Sequence, residues 1–287
     1  MKKVGYIYAL VSAFLFGSAG LFVKLGQSEL DSVSLLTLQY IIAVTIMFGV
    51  LYVTDKKSLK VTLSQLKDLA ILGVVGNTFM TVFYYLSFNY LPVAMTTVLL
   101  MTYPIMVFFY SIIKGQEKVH SKKVIIVIMA FIGCILTLNI TTAGGSYSIK
   151  GILYGLLAAL FYAFMNVFSE TKFSKVSPLA TNAYSTLFSL ISLMIYKFPL
   201  FVFTDSISFK TYGYIIILAV FCEIIPLTLL YAGIKHIGAV KVAVISNLEI
   251  PTSILISYFM LKEGISATQL LGVFIVIYSI YLIKNKE

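Results

Sequence analysis

The sequence has little charge. Of its 287 residues, 11% are Asp, Glu or Lys and 60% are hydrophobic, with a mean hydropathy of +1.00. A soluble domain commonly charges roughly a quarter of its residues. Charge here is confined to short clusters between apolar runs of roughly 20 residues, the length that crosses a ~30 Å hydrocarbon core. A water-soluble fold is excluded. Cysteine is scarce too. Cys134 and Cys222 both lie inside apolar runs, 88 positions apart, so neither a disulfide framework nor a thiolate metal site is expected. Arginine and tryptophan are absent, whereas Lys, Ile and Tyr are abundant, a composition typical of an AT-rich bacterial genome. There are two histidines, and no P-loop or nucleophile–His arrangement. No metal, cofactor, ATP hydrolysis or enzymatic chemistry is therefore expected.

What is present is a series of apolar runs bounded by charges and turn residues. They predict helices at 4–26, 32–54, 68–90, 93–114, 122–140, 149–171, 178–203, 211–235, 239–261 and 266–284. Runs this long exclude the short alternating strands of a membrane barrel. The first run, Val4 to Val23, exceeds the usual signal-peptide core and is read as an uncleaved span.

The net charge of +10 comes entirely from lysine. The lysines gather between spans, the pattern that marks a cytoplasmic face rather than a nucleic-acid site. With the N-terminus inside, one side carries Lys2, Lys3, Lys56, Lys57, Lys60, Lys67, Lys114, Lys118, Lys122, Lys123, Lys172, Lys175, Lys235, Lys241, Lys284 and Lys286. That is 16 of the 21. Both termini are expected in the cytoplasm, in a plasma membrane.

The chain also resembles itself. A shift of 146 lays Gly5, Tyr8, Leu10, Ala13 and Phe22 on Gly151, Tyr154, Leu156, Ala159 and Phe168, and Glu117 on Glu263. A shift of 147 lays Tyr84 on Tyr231 and Pro104 on Pro251, and pairs Gly76 with Glu223 and Thr102 with Glu249. The expected halves are 1–143 and 144–287. Five helices each make the second half inverted in the membrane, a recurrent design of secondary transporters.

Two blocks carry a resemblance to a known family. One is Phe16-Gly17-Ser18-Ala19-Gly20-Leu21-Phe22-Val23-Lys24. The other runs Leu230-Tyr231-Ala232-Gly233-Ile234-Lys235-His236-Ile237-Gly238-Ala239, then Glu249-Ile250-Pro251 and Leu261-Lys262-Glu263. With the two repeats, they make the whole chain similar to the EamA-type drug/metabolite transporters. The resemblance implies a ten-helix exporter or exchanger of small metabolites, often amino acids or related compounds, with a cavity between the repeats. The chain departs from many relatives in having Phe16 where they carry Trp, and in separating Glu249 from Pro251 by one residue.

Candidate site residues follow from the cost of polarity in lipid. Glu223 lies near the middle of the eighth span, where a charged side chain costs roughly 2.5–3.5 kcal/mol, so it should face a cavity or a partner. Ser246, Glu249, Ser253 and Ser257 fall on one helical stripe, with Pro251 able to open a kink. Asn77, Thr81, Tyr84 and Phe88 form a stripe on helix 3; Tyr162, Asn166 and Glu170 form one on helix 6. Amides and phenols near the midplane suit a polar ligand, or equally bonds between helices. Tyr103 lies beside Pro104. Lys24 ends the small-residue face Ala13–Gly17–Gly20, where it either meets an anion or snorkels to the interface. Gly151-xxx-Gly155 and Gly5-xxx-Ala9 are small-residue packing faces. His120 and His236 fall at cytoplasmic helix ends.

The expectation is a secondary transporter moving a small polar organic metabolite by alternating access, as a proton-coupled exporter. An uncoupled facilitator or exchanger stays open, as does a membrane sensor or assembly subunit without transport. Substrate and oligomeric state are not legible.

Overall fold

The computed structural model describes residues 2–115, 120–137, 148–199, 207–261 and 266–284. The expected positions Glu117, Lys118, Lys262, Glu263 and Lys286 lie outside them. The described chain is helical. Eight segments are long and apolar enough to cross a membrane: α1 (Lys2–Gly26), α2 (Ser32–Thr54), α3 (Leu63–Phe88), α4 (Met95–Ile113), α6 (Ile149–Lys172), α7 (Pro178–Tyr196), α8 (Phe209–Ile237) and α9 (Ala239–Ile256, the helix running on to Leu261). Between and after them lie two shorter helices, α5 (Ser121–Thr137) and α10 (Ala267–Lys284).

The ends have local causes. α3 starts five residues before its apolar run because Thr62 and Gln65 form a capping box: Thr62 N donates to Gln65 Oε1 at 2.8 Å, and Gln65 N donates to Thr62 Oγ1 at 3.3 Å. α7 stops at Tyr196 rather than 203, since Pro199 disfavours helical backbone before it. α8 turns into α9 through Gly238 alone, whose φ of 86° suits only glycine.

Several helices are broken, and the breaks recur. α4 is interrupted at Met101–Thr102 and α9 at Asn247–Leu248. Each break precedes a proline, Pro104 or Pro251. Pro251 has no N–H to give the Asn247 carbonyl, so Ile250 N turns to it instead at 3.3 Å. α3 widens into a π-type stretch at Leu72–Thr78 and α8 does so at Val220–Ile224. In α8 the cause is Pro226, which frees the Cys222 carbonyl; α3 instead has glycines at 73 and 76, and Thr78 Oγ1 donates to the Gly73 carbonyl at 3.0 Å.

Helical segments begin at Ser32, Leu63, Phe79, Val93, Tyr103 and Ser121, and again at Pro178, Phe209, Ile225, Ala239, Glu249 and Ala267. The offset is 146 in every pair (178 − 32 = 146). The helix starts therefore match Asn77 with Glu223 and Tyr103 with Glu249, one residue away from the pairing that the prolines suggest. Contacts recur with the same offset. A Cβ on Gly5 would meet His236 and Ile237, and one on Gly151 would meet Tyr90 and Leu91, all within 2.8 Å. The glycine faces thus pack helices of this chain together, α1 on α8 and α6 on α3. α2 packs on α7 and α5 on α10.

The bundle buries a group of polar side chains within its apolar core and is apolar outside. Asn77, Asn166, Asn182, Thr186, Glu223 and Glu249 are buried, while Leu153, Phe109 and Phe274 are 55%, 61% and 65% exposed. Such a surface is suited to hydrocarbon, not water.

Candidate functional site

α7 supplies a rib of Asn182, Ser185, Thr186 and Ser189, and it makes hydrogen bonds to both widened turns. Asn182 Nδ2 donates to the carbonyls of Glu223 and Ile224 at 3.3 and 3.2 Å, at the end of the π-type stretch in α8. Ser189 and Ser192 meet Thr78 beside the stretch in α3. α7 has the lowest mean hydropathy of the eight candidate spans, 1.3.

On that rib sits a hydrogen-bond network. Thr186 Oγ1 lies 3.0 Å from Glu223 Oε1 and 3.0 Å from Asn182 Oδ1. Asn77 Nδ2 donates to Thr186 Oγ1 at 3.5 Å and also reaches Glu223. Tyr40 OH, from α2, lies 3.1 Å from both Asn77 Oδ1 and Thr81 Oγ1. Tyr40 and Thr186 are themselves 146 apart, so the bonds Tyr40–Asn77 and Thr186–Glu223 are counterparts in the two halves of the chain.

Asn77, Thr81 and Glu223 of this network open onto a central cavity. Its lining includes Glu223 and Glu249 with Asn77, Tyr84 and Tyr162, together with Gln39, Thr81, Tyr85, Phe16 and Cys222. Glu249 enters it at the start of the helix that follows the α9 break. Gly17, at the break in α1, allows the approach: a Cβ there would sit 2.7 Å from the Glu249 carbonyl oxygen. Glu249 Oε1 is buried with no hydrogen-bond partner among the described residues.

The cavity thus brings together five of the ten sequence candidates. Tyr103 stands behind its wall, ring against Tyr162 at 4.2 Å, its hydroxyl 3.5 Å from the Ala243 carbonyl. Asn166 is fully buried, its Nδ2 donating to the Tyr162 carbonyl at 2.8 Å, and its Oδ1 is unpartnered. The stripe Ser246–Glu249–Ser253 does not survive as one face, because the helix is broken at Asn247–Leu248. Ser246 is buried and Ser253 half-buried, and neither lines the cavity. Lys24 is exposed and donates to the Phe88 carbonyl at 3.3 Å, away from the cavity.

Sequence reasoning missed Tyr40, Gln39, Asn182 and Thr186. The signal for α7 was its low hydropathy and its polar spacing of three and four; for Tyr40, nothing set it apart among 20 tyrosines.

The chain is similar to an uncharacterized transporter of Clostridium kluyveri, 24% identical over 98% of this chain and 93% of the relative. It is 26% identical to an uncharacterized transporter of Archaeoglobus fulgidus over 94% of this chain and 92% of that one. A solved structure titled only as a crystal structure of a protein shares the fold, with a TM-score of 0.82 at 14% identity, over 98% of this chain and 96% of that one. The model of the EamA-like transporter family matches twice, at residues 3–139 and 149–284. With its apolar helices and buried polar centre, the chain is a multi-pass membrane protein belonging to the EamA-like transporter family.

Proposed function

We propose that this protein is a secondary active transporter of ten membrane helices, built as two inverted five-helix repeats, 1–143 and 144–287, with both termini cytoplasmic. It moves a small polar organic metabolite across the plasma membrane by alternating access, as an exporter driven by inward proton movement. The 146-residue recurrence of helix starts, breaks and packing contacts supports the repeat. The clustering of 16 of 21 lysines on one side supports the orientation. Broken helices around a midplane site are how such proteins expose polar backbone only to a cavity.

One observation carries the function. Glu223 and Glu249 from the second repeat meet Asn77 and Tyr84 from the first in a single cavity. A site at the junction of the repeats is reached from either side as they rock. Hydrogen-bond counting favours Glu223 as the proton site. The Thr186 hydroxyl has one hydrogen and two acceptors, Glu223 Oε1 and Asn182 Oδ1. A protonated Glu223 donates to Thr186 and releases its hydrogen to Asn182; an ionised Glu223 takes it and leaves Asn182 Oδ1 short. Loading the proton thus rewrites contacts between α7 and α8. Glu249, Tyr84, Tyr162 and Asn77 then serve the metabolite; Tyr103, Asn166 and Ser246 support them.

The test uses proteoliposomes and a metabolite found by thermal-stabilisation screening. Glu223→Gln, with its fold intact, loses accumulation driven by a pH gradient while keeping substrate counterflow. Wild-type counterflow that ignores the gradient would instead favour an uncoupled exchanger.

A further inference from the structure

The two acids of the central cavity are held differently. Glu223 is engaged by Thr186 at 3.0 Å and by Asn77. Glu249 is 7% exposed, and its Oε1 meets no donor among the described residues. A buried acceptor without a donor is unfavourable. The chain retains this one where the side chain lines a cavity, so a donor arriving through the cavity is what would satisfy it.

The rest of the lining restricts that donor. Among the described residues it contains two carboxyl groups and no lysine or histidine. The chain has no arginine, and Lys24 is turned to the Phe88 carbonyl. An anionic ligand would find two acids and no counter-charge. The walls include the rings of Phe16, Tyr84, Tyr85 and Tyr162, and the Tyr84 and Tyr162 phenols lie within electrostatic reach of Glu249. Carboxylate plus aromatic faces is the combination that recognises a positively charged nitrogen: the carboxylate takes its N–H bonds, and ring faces attract the cation.

We infer that the cavity takes a small organic ammonium ion, with its N–H donors on Glu249 and its apolar part against Tyr84 and Tyr162. This rests on the transport reading of the same cavity and narrows its cargo. It also divides the labour: Glu249 holds the amine, while Glu223, already satisfied by the protein, holds the proton.

The test is binding rather than transport, so that it stands or falls separately from proton coupling. Thermal unfolding of the purified full chain in detergent is followed with three probes of similar size: phenethylamine, 2-phenylethanol and 3-phenylpropionate. The amine gives a saturable rise in Tm, the alcohol binds at least tenfold more weakly, and the acid gives no rise. Glu249→Gln weakens the amine at least tenfold, whereas Lys24→Ala, away from the cavity, changes it less than threefold. Glu249→Asp keeps the charge on a shorter arm and retains part of the binding, which separates loss of charge from loss of fold. Three results overturn the inference: no saturable amine shift, an equal shift with the acid, or an undiminished amine shift in Glu249→Gln. Amine binding in a protein that fails pH-driven accumulation would instead overturn the proton coupling and leave the amine site standing.

Discussion

The two halves of this chain share a scaffold and differ in chemistry. α3 and α8 widen at matching places, and α4 and α9 break at matching places, but the local causes differ. Pro226 frees a carbonyl in α8; in α3 two glycines and the Thr78 hydroxyl accompany the same distortion without a proline. The shape was kept while the residues producing it changed, which argues that the distortion itself is what matters. The polar groups diverge further. Asn77 stands where the second half has Glu223, and Tyr103 where it has Glu249. Each acid also lies near its own counterpart: Asn77 reaches Glu223, and Tyr103 lies within electrostatic reach of Glu249. One half supplies amide and phenol, the other supplies carboxyl. α1 breaks at Gly17–Ser18 whereas α6 runs unbroken, so the halves differ in helix shape as well.

The comparison can be broken in several ways. The largest difference is expected at Asn77 and Glu223. Glu223→Gln brings pH-driven accumulation in proteoliposomes to no more than its level without a gradient, while Asn77→Ala lowers transport about three- to tenfold and preserves its response to pH. The packing contacts should respond alike. Gly5→Val and Gly151→Val each force a side chain into an occupied place, against His236 and Ile237 or against Tyr90 and Leu91. Each should cost about 1–3 kcal/mol, read as matched drops in Tm. Strongly unequal drops would mean the two contacts are not equivalent.

The widened turns sharpen the contrast next. Asn182→Ala removes the donor to the carbonyls of Glu223 and Ile224 and should cost about 1–3 kcal/mol. Ser189→Ala leaves Thr78 bonded to the Gly73 carbonyl and to Ser192, and should cost about 0.5–1.5 kcal/mol. Equilibrium unfolding in detergent would rank them.

The smallest effect lies where the halves meet outside the spans. Lys197 pairs with Asp31 and Ser34. Burial pushes the Asp31 carboxyl up, but bonds from Lys197 and Ser34 outweigh it and hold the group below the ordinary aspartate range. A depressed carboxyl stabilises above the unfolded value of about 4, and loses that contribution as pH falls through its folded value. Because the pair is about half exposed, the amount is at most about 1 kcal/mol. Asp31→Asn should remove that step from a stability profile below about pH 4 and raise activity losses of less than twofold at neutral pH. Lys24→Ala should be equally quiet, since its ammonium turns away from the cavity.

Much of this architecture was legible in the sequence because hydrocarbon leaves few choices. Apolar length set the spans, and a mid-span carboxyl such as Glu223 had to face inward. The repeat was visible too, but its register slipped by one residue around Pro104 and Pro251. Prolines mark where a helix loses a hydrogen bond, whereas the helix starts at Tyr103 and Glu249 mark where the chain resumes. The stripe through Ser246, Glu249 and Ser253 failed for the same reason, since regular spacing assumes an unbroken helix. The α7 rib was harder still. Asn182 matters through carbonyls of another helix and Thr186 through the Glu223 carboxyl, and a sequence does not display which groups of neighbouring helices will meet.

The most direct test of a symmetric scaffold with acid in one half is a paired flux measurement on Glu223→Gln and Asn77→Ala, in vesicles matched for protein content. Accumulation driven by a pH gradient and substrate counterflow without one are read from the same preparation. The account predicts that Glu223→Gln loses the first and keeps the second, whereas Asn77→Ala lowers both together. Wild-type accumulation by Glu223→Gln, or the same pattern of loss in both variants, would contradict it.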